Sequence, residues 1–146
     1  MGADLYIDKL PREAQYRGFE VSADARKAGY FRDCYNDGGL LTVINANTGS
    51  DLSWWATQER KELFNKDGDM SVKGAKVWLS ELKPIADSFV KLNELYYSEY
   101  DLNTHTVHKG ERIKDTDVAH YHEWAKGLIE FLELAISLKS KILWSV

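Results

Sequence analysis

The residues best suited to bind a small ligand are concentrated near position 30. Residues 29–39 combine arginine, aspartate, tyrosine and asparagine with flanking glycines, and a pair of tryptophans follows at 54–55. Aromatic walls with a few oriented polar groups are typical of small-molecule pockets, and glycines let a ligand approach the backbone closely. The predicted ligand-binding residues are Arg32, Asp33, Tyr35, Asn36, Trp54 and Trp55. The alternative interpretation is a buried hydrogen-bonded network that supports the fold.

A small enzyme is the second function that this cluster would support. Its chemistry would rest on Arg32, Asp33 and Tyr35, or on Cys34 as a nucleophile with a histidine base. A nucleophilic cysteine needs a histidine within hydrogen-bond reach and an activating environment, and no local pattern supplies either. The chain also contains no phosphate-binding glycine loop and no nucleophile-elbow or H-E-x-x-H motif. These patterns favour a non-enzymatic binding protein, with no catalytic residue assigned.

Residues 65–76 resemble the calcium-binding loop of EF-hand proteins. The side chains at loop positions 1, 3 and 5, where a hard cation needs oxygen ligands, are Asn65, Asp67 and Asp69. Two positions depart from the pattern, because the position-6 glycine is Met70 and the position-12 glutamate is Lys76. The resemblance implies a calcium-responsive helix pair with Ca²⁺ as its cofactor. The alternative is a simple turn, rich in Asx residues and glycine, that leads into the next helix.

Four histidines lie between positions 105 and 122, close to several carboxylates. Zinc sites use such ligands, but His120 and His122 are two residues apart and would point to different faces of a helix. Solvated polar residues therefore explain this group better than a metal site.

Two tyrosines of the same region suggest an interface. Tyr97 leaves the apolar stripe of the preceding helix, and Tyr100 lies nearby. Tyrosine is common at protein interfaces because its large amphipathic ring is easily ordered. The alternative is that Tyr97 only covers the connection between two helices.

Two long helices are expected to position most of these residues. Apolar side chains recur at spacings of three and four from Ser71 to Tyr96, and Ser71 is a suitable N-cap. Pro84 predicts a kink or a break inside this helix. A second apolar stripe covers 116–139 and begins with acidic residues that suit a helix N-terminus. Joined by a loop near 99–114, the two helices should pack as an antiparallel hairpin.

The rest of the chain completes a mainly α prediction. Residues 3–7 and 141–146 are candidate strands, and their pairing would hold the two ends of the chain together. Shorter helices broken by glycines are predicted at 11–17, 22–28, 40–46 and 50–64. We therefore expect a single-domain helical bundle over residues 1–146, with a long antiparallel helix pair and a two-stranded β ladder formed by the N- and C-termini.

Composition limits the classes of partner. The 146 residues are 44% hydrophobic and 29% charged, which suits one soluble globular domain. A net charge of −4 argues against generic nucleic-acid binding. The single cysteine favours a reducing compartment, and no secretory signal or membrane-length apolar run is visible, so we expect a cytoplasmic protein with no membrane partner. A homo-oligomer is left open.

Three segments of the first third of the chain resemble a protein family. They are the opening Met-Gly-Ala-Asp-Leu-Tyr-Ile, the run Tyr30–Asn36 and the Ser-Trp-Trp at 53–55. Together they resemble a family of small uncharacterised proteins encoded by bacteriophages and some bacteria. The resemblance implies no catalytic residues. It implies a phage-type accessory protein in the host cytoplasm that binds a host protein or a small nucleotide-like signalling metabolite, as an inhibitor or sponge of host defence.

Overall fold

The structure is a computed structural model that describes residues 4–10, 29–32, 34, 39–52 and 57–144. In chain order these residues form strand β1 (Leu5–Ile7), strand β2 (Tyr30–Phe31), helix α1 (Leu40–Thr48), a 3-10 turn (Lys61–Leu63), helix α2 (Val72–Phe89), strands β3 (Tyr96–Asp101) and β4 (Thr106–Arg112), helix α3 (Asp115–Ser137) and strand β5 (Ile142–Trp144). None of the helices in this part of the chain is both long enough and apolar enough to span a membrane.

The core is built around α2 and α3, which lie where the sequence predicts two long helices. The Ser71 hydroxyl caps α2 by accepting a hydrogen bond from its first turn, as expected. The helices run antiparallel: His122, early in α3, hydrogen-bonds the Leu92 carbonyl just beyond α2, and Ile136, late in α3, shares a groove with Leu79 of α2. The buried side chains on the two helices include Trp78, Leu82, Ala86, Phe89, Leu128, Phe131, Leu132 and Ala135.

Helix α2 continues through Pro84, so of the predicted kink or break the break is wrong, and the kink stays a prediction. The proline lies on the exposed side of the helix, while Leu82 and Ala86 on either side of it are buried. Proline cannot donate a hydrogen bond to the carbonyl of Ser80, four residues earlier. The packed face of the helix is continuous, and its burial outweighs the loss of one hydrogen bond.

The two ends of the described chain meet in a small antiparallel sheet with the order β2-β1-β5. Leu5 pairs with Trp144 on one side and with Phe31 on the other. The predicted pairing of terminal segments is present, but the ladder has three strands because β2 adds to the second edge of β1. Across the outer edge of β5, Met70 and Ile142 exchange two backbone hydrogen bonds of 2.9 Å.

Residues predicted as the end of a helix and a loop instead form the β3–β4 hairpin. Tyr96 pairs with Arg112 and Asp101 with Thr106, with an irregularity between Tyr96 and Ser98. The carboxylate of Asp101 accepts hydrogen bonds from two backbone N–H groups of the turn. Tyrosine, threonine and valine favour strands, so this local preference prevails where the apolar helical stripe ends.

The prediction of a mainly α helical bundle is therefore wrong. The described residues combine three helices with a three-stranded and a two-stranded antiparallel sheet, which is a mixed α and β fold. Helix α1 is present where a short helix is predicted. In the segment 50–64, where a helix is predicted, residues 57–58 are helical, and a 3-10 turn and irregular backbone form the rest of the described part. Residues 53–56 of this prediction lie outside the described residues. The helices predicted at 11–17 and 22–28 lie outside the described residues.

Candidate functional site

Most of the predicted ligand-binding residues lie outside the described part of the chain. These are Asp33, Tyr35, Asn36, Trp54 and Trp55. Arg32 is described: it directly follows β2 and is half-buried. The enzyme alternative that combines Arg32 with Asp33 and Tyr35 therefore stays a prediction.

Cys34 is completely buried, and this burial decides its chemistry. Removal from water raises the pKa of the Cys34 thiol well above its usual value, and the negative charge of Asp4 raises it further. The thiolate is the nucleophilic form of cysteine, so a thiol held in its protonated form is unsuited to nucleophilic attack. Cys34 behaves as a small core residue in this fold.

The loop that resembles a calcium site is a compact turn in the structure. The Asn65 side-chain oxygen accepts hydrogen bonds from the backbone N–H groups of Asp67 at 2.9 Å and Asp69 at 3.0 Å. The Asp69 carboxylate forms an ion pair of 3.1 Å with Lys141, which raises the pKa of that lysine. Within the described ranges, no group of three or more His, Cys, Asp or Glu side chains is arranged to hold a metal ion. Calcium binding stays a prediction.

This turn is attached to the C-terminal strand by three contacts. Met70 and Ile142 share their pair of backbone hydrogen bonds, and the Asp69–Lys141 ion pair lies beside them. The Phe64 ring packs edge-on against Trp144, with ring centroids 5.2 Å apart. The turn is therefore anchored to β5 at both of its ends.

A second region presents a cluster of aromatic side chains on the surface, formed by Tyr97 of β3 and His120, Tyr121 and Trp124 of α3. We call these four residues the aromatic corner. The Tyr97 and Tyr121 rings meet edge-to-face with centroids 6.3 Å apart, and Tyr121 lies 5.8 Å from Trp124. His120 is 5.8 Å from Tyr121 and 5.9 Å from Trp124. Tyr97 is 39% exposed, whereas Trp124 is only 8% exposed and forms the floor.

Two carboxylates lie next to the aromatic corner. Glu99 lies two residues beyond Tyr97 in β3, and Asp117 lies one helical turn before Tyr121 in α3. Neither carboxylate has an ion-pair partner among the described residues. Burial raises the pKa of the Tyr121 hydroxyl, and its contact with Tyr97 and the charge of Asp117 raise it further. The corner therefore combines ring faces with unneutralised negative charge.

The buried indole of Trp124 adds an unusual feature. Its Nε1–H has no hydrogen-bond partner among the described residues. A buried donor without an acceptor costs about 1–3 kcal/mol.

The hairpin is held in place by side chains of α1. The amide of Asn47 donates to the Tyr96 carbonyl at 2.8 Å, and the Tyr96 N–H donates back to the Asn47 oxygen at 2.9 Å. The hydroxyl of Ser98 donates to Thr42 at 3.1 Å. Ser98 and Tyr97 are neighbours in a strand, so packing of Ser98 on α1 directs Tyr97 to the opposite face.

Part of this site was readable from the sequence. Residues 117, 120, 121 and 124 have the spacing of a single helix face, so their proximity follows from α3 alone. His120 and His122 lie on different faces, as predicted, since His122 contacts Phe89 and Leu92 instead. The contribution of Tyr97 depends on the hairpin, which the sequence analysis missed. Its predicted interface role stays a prediction.

Comparison of the chain with protein-family models, curated proteins and solved structures finds no match. The resemblance to small phage-encoded proteins therefore stays a prediction.

Proposed function

We propose that this chain is a non-enzymatic binding protein whose aromatic corner recognises a basic segment of a partner protein. The observation that carries this proposal is the packing of exposed and half-buried aromatic rings beside the charge of Asp117. Glu99 lies two residues from Tyr97 in β3, and neither carboxylate has an ion-pair partner among the described residues. A lysine ammonium or an arginine guanidinium is attracted to aromatic ring faces, and nearby carboxylates add to this attraction.

The charge of the surrounding segment supports a basic partner. Residues 94–123 contain seven Asp or Glu residues and three Lys or Arg residues. Of the three cations, Arg112 is paired with Glu94 and Asp115, while Lys109 lies 5.1 Å from the centroid of the Tyr96 ring. Opposite charge on a partner would speed its approach and favour it over acidic competitors.

The proposal includes a cytoplasmic location. It is supported by the chemistry of Cys34, the single cysteine of the chain, which is free and buried. Reduced cysteines of this kind are typical of proteins in reducing compartments.

The test is a titration with peptides of defined charge. A short peptide that alternates lysine or arginine with glycine should give saturable shifts of the Tyr97, Glu99 and Tyr121 amide signals in NMR spectra. A peptide of the same length that carries glutamate should give none. Replacement Tyr97→Ala should weaken binding of the basic peptide about fivefold or more, because a ring that faces the cation is lost.

The hairpin offers a matched control. Tyr100 is in the same strand and is 44% exposed, but its ring contacts His105 at the hairpin turn. Tyr100→Ala should leave the affinity for the basic peptide within twofold of the original. Equal weakening by the two replacements, or equal binding of the acidic peptide, would contradict the proposal, as would the absence of any shift with the basic peptide.

A further inference from the structure

We propose that a second site binds a mononucleotide, with its phosphate held by Lys61 and Lys66 and its base against Phe64. The site is a surface pocket of about 430 Å³ between the 3-10 turn and the Asn65–Asp69 turn. It is lined by Gln58, Lys61, Phe64, Asn65, Lys66 and Gly68, which we call the lysine pocket. It shares no residue with the aromatic corner, so this inference does not depend on the proposed function.

The charge of the pocket is opposite to that of the protein. Among the residues that the structure describes, its lining contains two lysines and no carboxylate, in a chain with 23 acidic and 19 basic residues. Neither lysine has an ion-pair partner among the described residues. An unpaired pair of cations in a concave site favours a compact anion such as phosphate.

Three of the nearby acidic residues are engaged by other cations. Arg60 binds Glu62 through Nε at 2.8 Å and Glu81 through both terminal nitrogens. Lys141 forms an ion pair with the carboxylate of Asp69. These pairs engage three nearby carboxylates, and the charge of Asp67 contributes to the raised pKa of Lys141. Glu59 forms no ion pair among the described residues.

Neutral donors supplement the lysines. The side-chain oxygen of Asn65 accepts two backbone N–H groups of its own turn, which orients the amide and leaves its NH₂ group to donate elsewhere. Gln58 supplies a second amide at the pocket wall. Amide donors complement phosphate oxygens that the lysines do not reach.

Phe64 provides an apolar surface that would make the pocket prefer a nucleotide over a simple anion. The ring is half-buried, and its contact with Trp144 and the bridge between Phe64 and Met70 hold it in place. A fixed aromatic ring binds a planar base with little loss of conformational freedom. The pocket volume also falls within the range of about 300–1,000 Å³ that is usual for small-molecule sites.

Calorimetric titration with adenosine monophosphate tests the assignment, with adenosine and inorganic phosphate titrated separately at the same ionic strength. We expect saturable binding of the nucleotide, at least tenfold tighter than that of adenosine or of phosphate. The double replacement Lys61→Gln and Lys66→Gln should weaken nucleotide binding at least tenfold. The matched control, Lys83→Gln with Lys91→Gln, removes the same charge from exposed positions outside the pocket lining and should change the affinity less than twofold.

Amide shifts locate the bound nucleotide independently of affinity. They should be concentrated at residues 58–68 and absent from Tyr97 and Tyr121. No detectable binding of the nucleotide would overturn the proposal, and so would equal affinity for inorganic phosphate, since Phe64 would then have no role. Equal losses of nucleotide affinity in the pocket double variant and in the control double variant would mean that only the overall charge matters. This result would also overturn the proposal. A thermal melt of each variant verifies that the protein remains folded.

Discussion

The lysine pocket and the aromatic corner are supported in different ways. The turn that carries the pocket is joined to β5 through backbone hydrogen bonds between Met70 and Ile142. The hairpin that carries Tyr97 is joined to α1 mainly through the side chain of Asn47 and the hydroxyl of Ser98. The first support uses backbone groups that every residue carries, whereas the second depends on a few side chains that a substitution can remove.

The two regions also differ in charge. Among the described residues, the lysine pocket presents lysines without ion-pair partners, and the aromatic corner presents carboxylates without them. Because the two oppositely charged surfaces lie on separate parts of the fold, each can bind a different ligand. A chain of modest net charge can therefore carry two surfaces of strongly biased and opposite charge.

The largest expected effect is on the support of the lysine pocket. In Gly74→Ala, the new Cβ would lie 2.0 Å from the carbonyl oxygen of Leu63, which also accepts a hydrogen bond from Ser71. Relief of this overlap requires helix α2 to move away from the 3-10 turn. We expect a loss of about 3 kcal/mol in the free energy of unfolding, measured by urea denaturation.

A glycine of the hairpin is the matched control. In Gly110→Ala, the nearest atom to the new Cβ is the Tyr97 carbonyl oxygen at 3.2 Å, and the strand can shift by a few tenths of an ångström. The loss should be below about 1 kcal/mol. Similar losses for the two variants would contradict the contrast between a rigid and an adjustable support.

A smaller effect is expected at the support of the hairpin. Asn47→Ala removes both hydrogen bonds to Tyr96, and we expect a loss of about 2 kcal/mol in the free energy of unfolding. Hydrogen exchange should accelerate at the Tyr96 amide and remain slow at Met70 and Ile142. Equal acceleration at all three amides would mean that the two regions unfold as one unit. Asn103→Ala, at an exposed turn position of the same hairpin, should change stability by less than about 0.5 kcal/mol.

The smallest expected effect concerns the acidic side of the aromatic corner. The pKa of Tyr121 is raised by burial, by Tyr97 and by the charge of Asp117, so Asp117→Asn should lower it. Since the pKa is higher in the folded state than the value of about 10 in the unfolded state, the stability linked to Tyr121 is fully present below pH ~10. That stability is lost as the pH rises through the folded-state pKa.

Ultraviolet titration of tyrosinate absorbance measures this change, with Tyr121→Phe used to identify the transition that belongs to this residue. Glu111→Gln, an exposed charge of β4, serves as the control and should leave the transition in place. An unchanged Tyr121 transition in Asp117→Asn would show that the carboxylate does not act on the corner.

Periodicity predicted helices well and the connection between them poorly. The stripes of α2 and α3 were readable because a helix buries every third or fourth residue against its neighbour. The same spacing extended to Tyr96 and so concealed the start of β3. Residues 96–112 contain no Asn-Gly or Asp-Gly turn, and His105 adopts a positive φ of 54° at the hairpin turn without being glycine. The usual hairpin signal is therefore absent.

The calcium-like loop illustrates the same limit. Its turn-forming residues were identified correctly, and Asn65 does organise the turn. The ion-pair partner of Asp69 is Lys141, more than seventy positions away in the chain, and no local sequence pattern predicts such a pair. Whether a carboxylate binds a cationic side chain or remains available for an ion depends on which distant segment packs beside it.

The sequence by itself determined the two long helices, the Ser71 cap, the pairing of the terminal segments and the common face of Asp117, His120, Tyr121 and Trp124. These features depend on spacing within one segment or on strong local preferences. Only the tertiary structure decided that Tyr97 joins that face and that Lys61 and Lys66 line one pocket with Phe64. Both results depend on contacts between segments far apart in the chain, which form because burial of the shared core brings those segments together.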